Sequence, residues 1–119
     1  MEAIKLEGFY QLFDFKLSHR VLTIRYSFLI ENQYYNSDVQ FITVNHMNIG
    51  VDLRNIAIRL ATENEYNDFV EKGLFNAFQS KFLKIFIIES TKESLKQDYY
   101  VIANKVQVKA IYLAPIPLE

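Results

Sequence analysis

Between Phe9 and Phe28 the apolar side chains alternate with polar ones, but the alternation changes parity half-way. Phe9, Phe13, Phe15 and Leu17 hold odd positions, whereas Leu22, Ile24, Tyr26 and Phe28 hold even ones. A straight strand cannot place both sets on one face. A reversal at His19-Arg20 can. Antiparallel pairing of Leu17 with Leu22, Phe15 with Ile24 and Phe13 with Tyr26 gathers six apolar side chains on one side. The same pairing sets Asp14 beside Arg25 and Lys16 beside Thr23 on the other. The pattern therefore predicts a half-solvated hairpin. No Asn-Gly or Gly-Gly marks its tip, so a two-residue turn and a four-residue loop, Ser18 to Val21, in the same pairing fit equally. Ser18 and His19 are not a nucleophile and its base, because neighbours on a strand point apart.

The polar run "IENQYYNSD" reads as a connection into strands near 38–46 and 52–61, with Gly50 turning the chain between them. Ile56, Ile58 and Leu60 alternate with Asn55, Ala57 and Arg59, so the second of these strands has one face on the core. The period changes at Thr62. Thr62 and Glu65 form a capping-box pattern, Glu63 and Glu65 suit the positive end of a helix dipole, and Tyr66, Phe69, Val70 and Leu74 make a stripe at helical spacing. Gly73 either ends this helix or weakens a longer one, which leaves Leu74 to Gln79 open. "KFLKIFIIES" is apolar on both alternations and reads as a central strand covered on both sides. The polar "STKESLKQD" separates it from "YYVIANKVQVKAIYL", where Asn104 interrupts the parity shared by Tyr100, Ile102, Val106, Val108 and Tyr112. A bulge or kink is expected there, and Pro115 and Pro117 end the ladder.

These elements predict an α+β fold, mainly antiparallel β-sheet, built as a compact sandwich or curled sheet with one helical region. A chain of 119 residues, half of them apolar and including 10 Phe and 8 Tyr, suits a single α+β domain spanning 1–119. The absence of cysteine removes disulfides and thiol chemistry. No apolar run has the length of a spanning helix and the first residues lack a secretory pattern, so a cytoplasmic protein without a membrane partner is expected.

Sites for chemistry are sparse. His19 and His46 are the only histidines, and neither belongs to a metal-binding spacing. Asp38 and Asp52 beside His46 read as solvated loop residues, so no metal and no cofactor are assigned. No G-x-S-x-G elbow, phosphate loop or dinucleotide fingerprint occurs among three glycines, Gly8, Gly50 and Gly73. No catalytic residue is assigned, and an enzyme is not expected. A net charge of −1 argues against nucleic acid, and the aromatic residues of "KFLKIF" and "YYVIANKVQVKAIY" read as core.

The run "LSHRVLTIRY", followed by "NSDVQFITVNHMNI" and the alternating "NIAIRLA", resembles small uncharacterised bacterial proteins of the immunity type. It covers about the first half of the chain. The resemblance implies a non-catalytic protein-interaction module that neutralises a toxin. A structural subunit of a larger bacterial assembly is the alternative, with a small enzyme or nucleic-acid binder behind it, and a homo-oligomer is left open. The expected partner is a protein. His19 and Arg20 at the hairpin tip, and Glu63, Glu65, Asp68 and Glu71 in the acidic helix, are the candidate partner-binding residues, as an anchor and a steering patch.

Overall fold

In a computed structural model that describes residues 1–92 and 95–115, the chain forms β1 (Ile4–Lys16), β2 (Val21–Ile30), β3 (Gln33–Ile42), β4 (His46–Asn48) and β5 (Asp52–Leu60). The helix α1 (Glu63–Glu71) and a short helical turn at Gln79–Lys81 follow, then β6 (Lys84–Lys92), β7 (Leu95–Ala103) and β8 (Lys105–Leu113). All eight strands join one sheet in the order β4-β7-β6-β5-β1-β2-β3-β8, and each neighbouring pair is antiparallel. The α+β, mainly antiparallel reading is therefore correct, and of the two expected forms the sheet takes the curled one.

The curl comes from a bent ribbon. β3 runs on towards β4 and β7 into β8, while β3 pairs with β8 and β4 with β7. At the bend the Asn104 amide donates to the Ile42 carbonyl at 2.9 Å and the Asn45 amide to the Ile102 carbonyl at 2.8 Å. Thr43 takes a left-handed φ of 57° there. The kink expected near Asn104 is this corner. It also breaks the single strand expected over 38–46 into β3 and β4. Side chains of one parity change face across it: Ile102 packs under the helix, whereas Val106 packs against the main core.

The concave face holds that main core, with Tyr10, Leu22, Ile24, Val39, Phe41, Leu53, Ile56, Ile58, Phe86, Ile88 and Val101 all buried. Each such side chain contributes about 1.5–3 kcal/mol by leaving water. A second, smaller core lies on the opposite face of β6 and β7. There Ile85, Ile87 and Ile102 meet Phe75, Tyr66 and Phe69 from α1 and the segment after it. β6 is thus covered on both sides, which explains its apolar run on both alternations.

Local chemistry sets the ends of α1. The Thr62 hydroxyl accepts from the Glu65 amide at 3.2 Å and the Glu65 carboxylate accepts from the Thr62 amide at 2.8 Å, completing the capping box. At the other end the Leu74 amide donates to the Phe69 carbonyl and the Gly73 amide to that of Val70. This is a Schellman stop, with Gly73 at φ 75° supplying the left-handed residue. Gly73 therefore ends the helix, and Leu74 to Gln79 do not continue it.

The β1–β2 hairpin forms, but in a different register. Phe15 faces Leu22, Asp14 faces Thr23 and Lys16 faces Val21; beyond an irregularity between Leu12 and Asp14, Gln11 faces Arg25. The tip is Leu17 to Arg20, with Arg20 at φ 50°. Leu17 stands 78% exposed in the turn and Phe13 56% exposed on the outer surface, so neither belongs to the core face. A slip of two residues preserves parity, so alternation alone could not separate the two registers. Two further connections prove shorter than expected. "IENQYYNSD" holds only a two-residue turn at Glu31 and Asn32, both with positive φ, and β3 starts at Gln33. "STKESLKQD" is mostly strand, since β6 runs to Lys92 and β7 begins at Leu95, paired with it. Pro117 lies outside the described residues.

Candidate functional site

The concave face is filled at one end and open at the other. At the open end a cleft of about 690 Å³ is lined by Leu6, Gly8 and Tyr10 of β1, Tyr26 and Phe28 of β2, and Val108 and Ile111 of β8, with Glu7, Ser37 and Asn55 beside them. Its volume and largely apolar wall suit a binding site. Tyr10, Tyr26, Phe28 and Tyr35 form a ladder of rings along it, with successive centroids 5.7, 5.0 and 6.0 Å apart.

A double irregularity shapes the floor. Between Leu6 and Phe9 the β1–β5 register shifts; Gly8 has φ 127° and Asn55, on the partner strand, φ 48°. The Gly8 amide donates to the Asn55 side-chain oxygen at 3.0 Å, and the Tyr26 ring lies so close that a Cβ on Gly8 would fall 2.5 Å from two of its carbons. Only glycine meets both conditions. Deeper in, the Tyr10 hydroxyl and Ser37 Oγ share a buried hydrogen bond of 2.8 Å. Burial pushes the Tyr10 phenol above its usual range, so it stays protonated at neutral pH. What these groups offer is aromatic surface with one satisfied polar pair at its base.

The wall formed by β8 is pinned from the outer face. Arg25 of β2 makes a two-pronged pair with Asp38 of β3, Nε to Oδ1 at 2.7 Å and Nη2 to Oδ2 at 3.0 Å. The Tyr112 hydroxyl of β8 donates to Asp38 Oδ2 at 2.6 Å, and the Phe13 ring of β1 lies 3.6 Å beneath the guanidinium. Burial alone would raise the Asp38 carboxyl. The hydrogen bonds from Arg25 and Tyr112, with the charges of Arg25 and Lys109, outweigh it and hold the group below the usual carboxylate range. Four strands are tied together by this cluster.

The residues singled out in the sequence lie elsewhere. His19 and Arg20 are exposed at the β1–β2 tip, where the Arg20 carbonyl accepts from the Val44 amide at 2.8 Å. His19 also borders a shallow groove with Lys16, Thr23, Arg25 and Gln40. Glu63, Asp68 and Glu71 are exposed on α1, and Asp68 pairs with Lys72 at 2.9 Å. Glu65 is committed to the fold: its carboxylate accepts from Arg59 at 2.6 and 3.1 Å as well as from the cap. Among the described residues no hydrogen bond or ion pair joins the tip to the helix. No family model, curated protein or solved structure matches this chain. His46, weighed as a metal ligand, shares a 2.7 Å hydrogen bond with the Tyr100 hydroxyl, while Asp38 belongs to Arg25 and Tyr112 and Asp52 takes a bond from Gln11. Among the described residues no three His, Asp or Glu side chains are grouped to hold a metal ion. Nor is any helix among them long and apolar enough to cross a membrane.

Sequence reasoning missed the cleft because Tyr26, Phe28 and Val108 have the alternation of core residues and do point inward. The signal available was Gly8, a glycine inside an otherwise regular strand.

Proposed function

We propose that the chain is a non-catalytic protein-interaction module that receives its partner at the cleft beside β8. The observation that carries this reading is an aromatic cleft whose outer wall is an end strand with exposed apolar side chains, Val108 at 37%, Ile111 at 64% and Leu113 at 57%. Apolar surface left open on a rigid frame is what a protein interface later covers. Arg20 at the tip, with His19 beside it, and Glu63, Asp68 and Glu71 on α1 lie outside the contact in this reading, the charged groups among them steering the partner. Neutralisation of a toxin in the bacterial cytoplasm, the use implied by the resemblance in the first half of the chain, is the role we attach to it. A subunit of a larger assembly is the alternative.

A photo-crosslinking residue placed in turn at Ile111, His19 and Asp68 tests the site. The expected result is a discrete protein adduct from Ile111 that disappears in the Val108→Asp variant. Adducts from His19 or Asp68 alone would move the interface to the surfaces read from the sequence. A ladder of adducts made only of this chain would favour the assembly subunit.

A further inference from the structure

We infer that the partner docks as an extended segment that adds a strand to the free edge of β8, and that this segment alternates apolar with acidic residues. The inference rests on the interaction reading above and names the kind of partner. Among the described residues β8 pairs only with β3, so the backbone N–H and C=O groups on its other edge point away from the sheet. The two end strands are unequal. β4 is 3 residues long, the short form that discourages edge pairing, whereas β8 runs for 9.

A long row of alternating donors and acceptors is matched by another extended backbone, and such strand addition is a recurrent mode of peptide recognition. The side chains of β8 then set the sequence that fits. Val106, Val108 and Ile111 face the concave side, while Lys105, Gln107 and Lys109 lie on the outer face with Ile42, Gln40 and Asp38 across the ladder. Alternate side chains of an added strand would cover the cleft and meet its apolar wall. Those between them would stand beside the lysines.

Charge selects against the most available competitor, a second copy of β8. Residues 105–113 contain two lysines and no carboxylate, so antiparallel self-pairing brings like charges together, whereas a strand carrying Glu or Asp is attracted. Lys105 is exposed, and Lys109 sits 4.2 Å over the Tyr112 ring, held at the outer face.

The test uses the full chain with an acetylated nine-residue peptide alternating Val or Ile with Glu, and its counterpart with Lys in place of Glu. Binding is read by titration, and hydrogen exchange of the β8 amides by NMR. The acidic peptide should bind about tenfold or more tightly than the basic one at low salt and protect the β8 amides that point away from β3. N-methylation along one edge of the peptide should abolish this, and along the other edge should not. Lys105→Glu with Lys109→Glu should reverse the charge preference. Lys105→Glu alone, opposite Ile42 and not Asp38, should weaken it and serves if the double variant loses its fold. Binding that survives N-methylation of either edge would overturn strand addition while leaving the interaction module standing. Binding of neither peptide would overturn strand addition, and absence of a protein adduct at Ile111 would overturn the interaction reading. Outer-edge protection that rises with protein concentration in the absence of peptide would show self-pairing and refute the charge argument.

Discussion

Gly8→Ala should be among the most damaging single-methyl additions in this chain. Two penalties coincide there. The backbone at φ 127° is a region that residues with a Cβ rarely adopt, at a cost of about 1–3 kcal/mol. The new Cβ would stand 2.5 Å from Cδ2 and Cε2 of Tyr26, so the ring must move, and overpacking of this kind costs about 1–3 kcal/mol more. Together they amount to about 2–6 kcal/mol, a large share of the 5–15 kcal/mol typical of a domain. Gly73→Ala is the internal control. Its φ of 75° is also left-handed, but nothing lies within 4 Å of its Cβ position, so only the backbone cost of about 1–2 kcal/mol applies. Urea denaturation followed by circular dichroism gives both values. In a Tyr26→Ala background the Gly8→Ala loss should shrink by about 1–3 kcal/mol, the part due to the ring. If Gly8→Ala costs no more than Gly73→Ala, and the cycle shows no coupling, the Tyr26 ring does not depend on the missing Cβ and the packing argument fails.

Ile24→Ala should cost about 2–5 kcal/mol because the side chain is fully buried, whereas His19→Ala and Leu17→Ala at the exposed tip should stay within about 0.5 kcal/mol; equal losses would contradict the observed register. Glu65 accounts for part of the acid sensitivity. The Arg59 guanidinium and the Thr62 cap lower its carboxyl from 4.5 to about 2, so its stabilisation is complete above pH 4.5 and fades as pH falls towards 2. With the pair partly exposed, Glu65→Gln should flatten the stability profile in that window by about 1 kcal/mol, measured by denaturation at several pH values, and an unchanged profile would refute it. Tyr10→Phe leaves the buried Ser37 hydroxyl without its partner and should cost about 1–3 kcal/mol by urea denaturation, partly recovered in the double variant with Ser37→Ala; a neutral single variant would show that the pair is dispensable.

Elements whose signals are local were legible in the sequence. The capping box at Thr62 and Glu65 is met within a few residues, while the two-sided apolar run of β6 and the interruption at Asn104 show long-range burial and a corner directly in consecutive letters. The misses arise where the pattern of apolar and polar letters is silent. The β1–β2 register is fixed by a four-residue tip and by the irregularity that sends Phe13 outward under Arg25, and neither alters the alternation on which the pairing was read. The β2–β3 turn is built from Glu31 and Asn32 without the usual glycine, so its polar letters looked like a longer connection. The cleft was hidden because inward-facing aromatic residues look the same whether the space before them is filled or open. Which end of the curled sheet stays open is decided by how β8 meets β3, a pairing between distant parts of the chain.

That distant pairing also has a consequence for how the molecule is made. β1, β2 and β3 are joined by short turns and can zip together as they emerge, but the far side of β3 waits for β8, which is made only after β4 to β7. Until then Asp38 lacks the Tyr112 hydroxyl, and the β3 backbone presents a bare edge through the synthesis of β4 to β7. A nascent chain in this state is open to wrong strands. Ribosome stalling ahead of Lys105 should therefore yield a chaperone-dependent, aggregation-prone intermediate, and completion of β8 should be the step at which it becomes self-sufficient.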